Sequence, residues 1–404
     1  MITTYRPGTV YGAPNQSPAP QPKPPAKPTP PKEASLDRAV NYFADYSGCG
    51  HWRMLWPEQV LSSYQHMIVH GSTCMIRDPA FYGNIKSIRL QRQANPAQLN
   101  FFKEMRKLAD KNNFRLIYEI DDIVLHEDIP DYNKYKFAFE SEEIRSCIIE
   151  MMQMSDEISC TCDYMKDYFV DKTGNKNVTV IPNYPPRFWL DGHFDENIIM
   201  KNYDRHVKKR KKPRVLYAGS GAHFDVDNKV NQQDDFAHVR ETIMKTCNKI
   251  QWVFVGAYPP VLHSLVQQGK IEFHPWQPLY DLPRFINNLK VNCMVAPLID
   301  NTFNRCKSDI KFTEACAHGI PVVCQDMITY QSAHHKFSTG DEMIDQINTL
   351  LKDKQQYMKH CRKANQYVQN KWLELPDNIG KYKELYTTPY GCDSRKLINK
   401  INNL

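Results

Sequence analysis

Short apolar runs rich in β-branched residues recur along most of the chain. Each is followed by a polar or glycine-containing break, and then by a stretch whose apolar positions fall three and four residues apart. In the first half, "STCMIRD" and "KSIRLQR" read as short strands, Phe101 to Lys111 as an amphipathic helix, and "FRLIYEIDD" as a buried strand ending in two acids. After a further helical stretch, "DEISCTC" and "VTVIPN" close an α/β block near Pro186. A second block opens with "RVLYAGSGAH" and continues through a helix from about Asp235, "QWVFVGA", a helix near Val261, "IEFHPW" and a helix from about Leu279 to Leu289. "VNCMVAPLIDN" is then a buried strand, and "PVVCQ" another. Gly340 to Tyr390 is helical, with Trp372 and Leu375 as packing anchors. Strands alternating with helices predict an α/β fold of parallel sheets with right-handed crossovers. Two such blocks in tandem bring the C-terminal strand ends of both sheets to a shared cleft, where ligands of α/β proteins bind.

The same pattern sets the organisation. A tail covers 1–36, a first α/β domain 37–190, a polar connecting segment 191–213, a second α/β domain 214–374, and closing helices 375–404 that pack back towards the first domain. Ten of the 27 prolines fall in the tail, which predicts an extended, disordered segment of polyproline character. At 404 residues, 41% apolar and 24% charged, the rest suits a globular protein with two cores. No run approaches the roughly 18 apolar residues of a membrane helix, and the first residues lack the apolar centre of a secretory signal. Twelve cysteines without a CxxC pair suit reduced thiols in a cytoplasmic protein better than a zinc framework or a disulfide scaffold. The formal charge of +7 is local: Arg205 to Arg214 holds seven basic and no acidic residues, and the part outside this run and the tail is slightly acidic. That excludes a broad nucleic-acid face and reads first as a solvated linker.

Four loops stand at predicted strand ends. Gly48, Cys49 and Gly50 permit close backbone approach before a helix, and Arg53 follows on that helix. Asp121 and Asp122 end a buried strand, where a carboxylate can act as a base or stabilise positive charge; no further ligand cluster points to a metal. Gly219, Ser220 and Gly221, with His223 behind them, form a small-residue loop able to approach a diphosphate. The fourth is "NRCKSDIKFTEACAHGIPVV". With Ser308 as N-cap, Lys307, Lys311 and Glu314 stack on one helical face, and Gly319 and Pro321 punctuate its end. Lysines at a helix start make an anion site, although the bland alternative is a solvated face with an ion pair.

The segment "MVAPLIDNTFNRCKSDIKFTEACAHGIPVV" resembles the donor-binding signature of GT-B glycosyltransferases of the family-4 type. "YEIDD", "VIPN" and "AGSGAH" fit the same layout. The resemblance implies two Rossmann-like domains facing a central cleft. It implies that Lys307 and Lys311, with Ser308 and Asp309 beside them, hold the diphosphate of a nucleotide sugar. It also places Glu314 on the ribose hydroxyls and Trp276 near the nucleobase. The family's second glutamate, eight residues before Glu314, is replaced by Cys306. "SGCGHWRMLWPEQ" and "LIYEIDDIVL" are locally similar to the glycine loop and acidic strand end of the T-even phage DNA α-glucosyltransferases. That similarity implies Asp121 beside the transferred sugar, with Gly48, Cys49, Gly50, Arg53 and Asp122 on the acceptor side.

Together these resemblances imply a metal-independent hexosyl- or pentosyltransferase with a UDP-sugar as co-substrate and no obligatory cofactor. It would act with retention, in the host cytoplasm if phage-encoded, on a hydroxymethylated DNA base. A transferase acting on a surface polysaccharide or lipid-linked glycan is the rival enzyme. A degenerate protein that binds nucleotide sugars without turnover, as Cys306 permits, is the rival of another class.

Overall fold

A computed structural model describes residues 36–392 except 65, 210 and 232. The proline-rich tail, apart from Leu36, and residues 393–404 lie outside the described residues.

Among the described residues, twelve strands form two parallel sheets. The first sheet contains β1 (Arg38–Tyr42), β2 (Ile68–Ser72), β3 (Ser87–Gln91), β4 (Arg115–Glu119), β5 (Glu157–Cys160) and β6 (Val178–Val180), in the order β2-β1-β3-β4-β5-β6. The second contains β7 (Arg214–Gly219), β8 (Gln251–Gly256), β9 (Glu272–Pro275), β10 (Cys293–Ala296), β11 (Val322–Gln325) and β12 (His335–Phe337), in the order β12-β11-β10-β7-β8-β9. The second order is that of a Rossmann fold; in both sheets the chain runs outwards on one side and returns to build the other. The reversals fall between β1 and β3 and between β7 and β10, and a crevice opens at the carboxyl ends of such a strand pair.

Central strands are apolar on both faces because helices cover both. β4 is buried at every position, and Val215, Trp252, Phe254 and Val295 are buried in the second sheet. One lobe's core gathers Phe101, Phe102, Leu116, Tyr118, Met151 and Phe169, and the other's gathers Trp252, Phe254, Ile347 and Tyr357. A third cluster joins the lobes, running from Trp52, Trp56 and Trp189 to Leu216, Phe312, Ile320 and Tyr382. The helix Pro376–Thr387 lies over the first sheet: Ser87 Oγ donates to the Tyr386 carbonyl at 2.9 Å, and Arg115 Nη1 to the Leu385 carbonyl at 3.1 Å.

Several element expectations need correction. The strand expected in "STCMIRD" is instead Ile68–Ser72, and β1 and β12 carry too few apolar alternations to announce themselves. The segment read as a polar linker carries a helix: Asp195 caps Glu196–Tyr203, whose buried Tyr203 packs on Tyr357 with ring centroids 4.9 Å apart. The helix expected from Asp235 starts at Arg240, because residues 235–239 make turns beside the Asp234 carboxylate, which accepts from the Phe236 amide at 2.9 Å and from Arg240 Nη2 at 2.8 Å. After β10 a short helix, Thr302–Arg305, comes first, and the helix that bears Lys311 runs Ile310–Ala317, with Asp309 rather than Ser308 at its start. Lys307 therefore precedes the helix and does not share a helical face with Lys311.

Candidate active site

The loops that follow β1, β3, β4, β7 and β10 supply the site, which is the placement that the two sheet reversals dictate. After β1 the chain makes one α turn, Gly48–Gly50, and passes into a π-helical turn, His51–Leu55. Gly50 is required there, since a β-carbon would run into the Asp45 carbonyl. The widened turn sets Arg53 inside the lobe at 0% exposure. Its Nε meets Glu119 Oε1 at 2.6 Å, while Nη1 donates to the Ile181 carbonyl at 2.6 Å and to Asn183 Oδ1 at 3.1 Å. Arg89 pairs with the other Glu119 oxygen. Arg53, expected among the acceptor-side residues, thus reaches the groove only through what it positions: the carboxyl end of β4, and Asn183, whose amide donates to Ser308 Oγ at 2.9 Å.

The two carboxylates beyond β4 each face a cation. Arg92 Nε lies 2.6 Å from Asp121 Oδ1, on a backbone bent to φ 46°, a strained conformation for a non-glycine residue. Burial alone would raise the Asp121 carboxyl, but Arg92 and Arg53 override it and hold it below the usual range, so it stays ionised. Cys49 lies beside it, its thiol pushed up by burial. Asp122 reaches across the groove to Lys307, Oδ2 to Nζ 3.2 Å, while the Lys307 ammonium sits 4.2 Å from the centre of the Phe303 ring.

The second lobe answers with a chain of contacts. Lys311 Nζ is 2.9 Å from His223 Nε2, and His223 Nδ1 is 2.6 Å from Asp235 Oδ2. Burial, then the neighbouring Lys311, lowers the His223 imidazole to about 4, so it is neutral near pH 7. Burial, then Lys307, lowers the Lys311 ammonium to about 8. Glu314 is raised to about 7 by burial, against the pull of Lys311.

Gly219, Ser220 and Gly221 lead into His223; the Lys134 side chain of the first lobe lies against Gly221, 3.5 Å from where a β-carbon would stand. Gly256, at the end of β8, has φ 92° and carries the face of Trp276, which is 51% exposed. Asp309 turns away from this group, taking the Tyr367 hydroxyl and the Lys371 ammonium, the latter at 3.2 Å. Cys306 is fully buried, and its carbonyl accepts from Cys162 Sγ at 3.4 Å across the lobes.

The geometry thus brings Asp122, Lys307, Ser308, Lys311, Glu314 and the Gly219–His223 loop to one groove, while Asp121 is held in the first lobe by Arg92 beside Cys49. It sets Arg53 and Asp309 outside it and Trp276 beside the end of β8. Sequence reasoning missed Arg92, Tyr132, Asn183, Asp235 and Asn304. Arg92 was visible as the polar residue closing "KSIRLQR"; the others sit in loops with no local signature. The basic run Arg205 to Arg214 is elsewhere. Lys211 and Lys212, with Lys249 and Lys352, line an open cavity of about 740 Å³ beside the amino ends of β7 and β8, the opposite end of the sheet from the groove. Among the described residues no helix is long and apolar enough to cross a membrane.

No known protein family matches the sequence, and no curated protein matches it. Solved structures do. HepE of Anabaena in complex with UDP-glucose superposes with a TM-score of 0.54 at 11% identity, over 91% of this chain and 98% of that one. TarM of S. aureus, as a mutant with fondaparinux, α-GlcNAc-glycerol and UDP, gives 0.48 at 13%, over 74% of this chain. This chain spans about half of TarM, 54% of its length. The wall teichoic acid polymerase TagF gives 0.41 at 10%, over 91% and 90%. Only the HepE likeness bears weight, and it is a likeness of fold. Two Rossmann-like parallel sheets facing a central groove are the GT-B arrangement, and this chain has it.

Proposed function

We propose that the protein is a glycosyltransferase that moves a sugar from a nucleotide-diphosphate sugar, a UDP-sugar first, to an acceptor hydroxyl. The observation that carries the reading is the pair of ammonium groups, Lys307 and Lys311, in the loop and helix after β10, with Lys307 reaching Asp122 of the first lobe across the interlobe groove. A leaving diphosphate gains charge as the glycosidic bond breaks, and fixed cations in a half-buried groove stabilise that charge without reorganising. Ser308 and the Gly219–Gly221 loop are the further diphosphate contacts, Glu314 the group for the ribose hydroxyls, and Trp276 the platform for the base. The fold of HepE, itself captured with UDP-glucose, is consistent with this assignment.

Asp121 is assigned to the positive charge that develops on the sugar ring, with retention of configuration. Ionised and steered by Arg92, it has the charge for that role. Asp121 and Asp122 are both engaged by basic side chains, so lysines, not a divalent ion, are assigned to the diphosphate. For the acceptor we propose a hydroxymethylated base in DNA, on the strength of the resemblance around Gly48–Gly50 and Asp121. The basic run contributes nothing to it, since it lies at the far end of the second sheet. Such a base would have to leave the stack to enter the groove.

The test is incubation with a panel of nucleotide sugars against plain DNA, hydroxymethylated DNA and neutral glycans, read by mass spectrometry. Release of UDP with sugar on the modified base is expected, with a rate that falls steeply as salt rises. Transfer to the glycan alone would replace the DNA assignment, and no turnover with any donor would overturn the reading. Replacing Lys307 and Lys311 together by Ala is expected to cost about 10²-fold or more in turnover, measured by UDP release.

A further inference from the structure

Asp235 is buried at 0% exposure in the second lobe, yet it is the point on which four donors converge. Oδ2 takes His223 Nδ1 at 2.6 Å. Oδ1 takes the Tyr132 hydroxyl at 2.8 Å, Asn304 Nδ2 at 2.6 Å and the Ile299 amide at 3.0 Å. Tyr132 belongs to the first lobe, and Asn304 Nδ2 also contacts its hydroxyl at 3.1 Å. Burial would raise the Asp235 carboxyl, but the hydrogen bonds, His223 foremost, hold it below its ordinary range, so it is an acceptor only. The proton between Asp235 and His223 therefore sits on Nδ1. That leaves a lone pair on Nε2, the atom 2.9 Å from the Lys311 ammonium.

We infer that Asp235 and Tyr132 are positioning residues. The Asp235 carboxylate fixes the His223 tautomer, so that Nε2 holds the Lys311 ammonium beside Lys307, and Tyr132 makes that hold depend on the two lobes being together. The inference rests on the proposed function, which gives Lys311 its diphosphate, but the arrangement is independent of any ligand. A neutral imidazole suits this position, because it accepts from the lysine without competing for a phosphate, as a carboxylate at the same place would. The groups facing Lys311 are His223, Lys307, Asp235, Glu314, Asp122 and the Tyr217 ring, whose centre is 5.9 Å from its Nζ. Of these, Asp235, Glu314 and Asp122 favour the charged amine and Lys307 opposes it.

The experiment is the pH dependence of Lys311 acetylation, read by peptide mass spectrometry with and without UDP, on the full chain. In the wild type, half-maximal reactivity is expected near pH 8. In Asp235→Asn one favourable charge is gone, and the midpoint is expected to fall by roughly half a pH unit or more. His223→Gln keeps a carbonyl acceptor and is expected to stay near the wild type. Tyr132→Phe, which removes a single hydroxyl, is expected to leave the midpoint in place and to raise the labelling rate severalfold as the lobes part; it carries the test should Asp235→Asn fail to fold. UDP is expected to shield Lys311 in the wild type and less so in Asp235→Asn. Superimposable wild-type and Asp235→Asn profiles, or an unchanged rate in Tyr132→Phe, overturn the inference. A shifted midpoint with no shielding by UDP in any variant upholds the arrangement and removes the nucleotide reading it serves.

Discussion

Glu314 shows how one side chain's surroundings set its chemistry. Its folded-state value, about 7, lies above that of an exposed glutamate, so the folded chain holds its proton more tightly than the unfolded one. The stability this contributes is complete below the unfolded value, about 4.5, and is lost as pH rises through about 7. Glu314→Gln is therefore expected to flatten the decline in melting temperature between those limits, measured as the difference between the two proteins so that other titrating groups cancel. Asp122 invites the opposite kind of test. It holds Lys307 at 3.2 Å, with the pair about one-fifth to one-quarter exposed, and thereby competes with any diphosphate for that ammonium. Partly exposed pairs are worth about 0.2–1 kcal/mol. Asp122→Asn should accordingly tighten UDP binding by up to about fivefold in a calorimetric titration, and weaker binding would show that Asp122 aims Lys307 and does not compete for it. Lys307, Lys311 and Glu314 were legible as candidates because charged residues at a strand-to-helix junction are uncommon without a purpose. Asp235 was not: its partners Tyr132 and Asn304 lie far along the chain in each direction, and no local pattern announces a long-range hydrogen bond.

At the scale of elements, strand ends were easier to read than strand identities. β4, β7, β8, β10 and β11 stood out through continuous apolar runs, the mark of strands covered on both faces. β1 and β12 did not, since β1 carries a buried Asn41 and β12 is three residues long with a buried His335. The helix bearing Arg53 misled for a physical reason. An arginine near a glycine loop was expected on the acceptor side of the groove, but the π-helical turn rotates it into the lobe, where Glu119, Asn183 and the Ile181 and Cys160 carbonyls satisfy it. Removing one member of a buried ion pair typically costs about 3–5 kcal/mol. Arg53→Met is thus expected to destabilise the protein by about that much in urea unfolding, and to lower activity through the displaced ends of β4 and β6 without changing its salt dependence. A loss under about 1 kcal/mol would mean that Arg89 alone suffices to balance Glu119.

At the scale of the molecule, the alternation of strands and helices was enough to foresee two sheets and one groove. It could not foresee how firmly the lobes are joined. Lys307 with Asp122, Ser308 with Asn183 and Asp235 with Tyr132 all cross between them. Tyr280 of the second lobe stacks on Phe188 with ring centroids 5.3 Å apart and lies 5.6 Å from the His51 ring. The basic stretch of the connecting segment, read as a solvated linker, lies with Lys211 and Lys212 at the amino ends of β7 and β8, away from the groove.

The helix Pro376–Thr387 has one more consequence, for how the molecule is made. Its carbonyls receive Arg115 and Ser87, the rings of Tyr382 and Tyr386 cover Arg89, and the Tyr386 hydroxyl donates to Asn41 at 2.7 Å. The first lobe is therefore finished by a segment that follows the whole second lobe in the chain, and four buried polar side chains, Asn41, Ser87, Arg89 and Arg115, wait uncovered until it is made. A fragment ending at residue 374 is expected to lack the cooperative melting of the whole protein and to regain it when a peptide spanning 375–392 is supplied in trans.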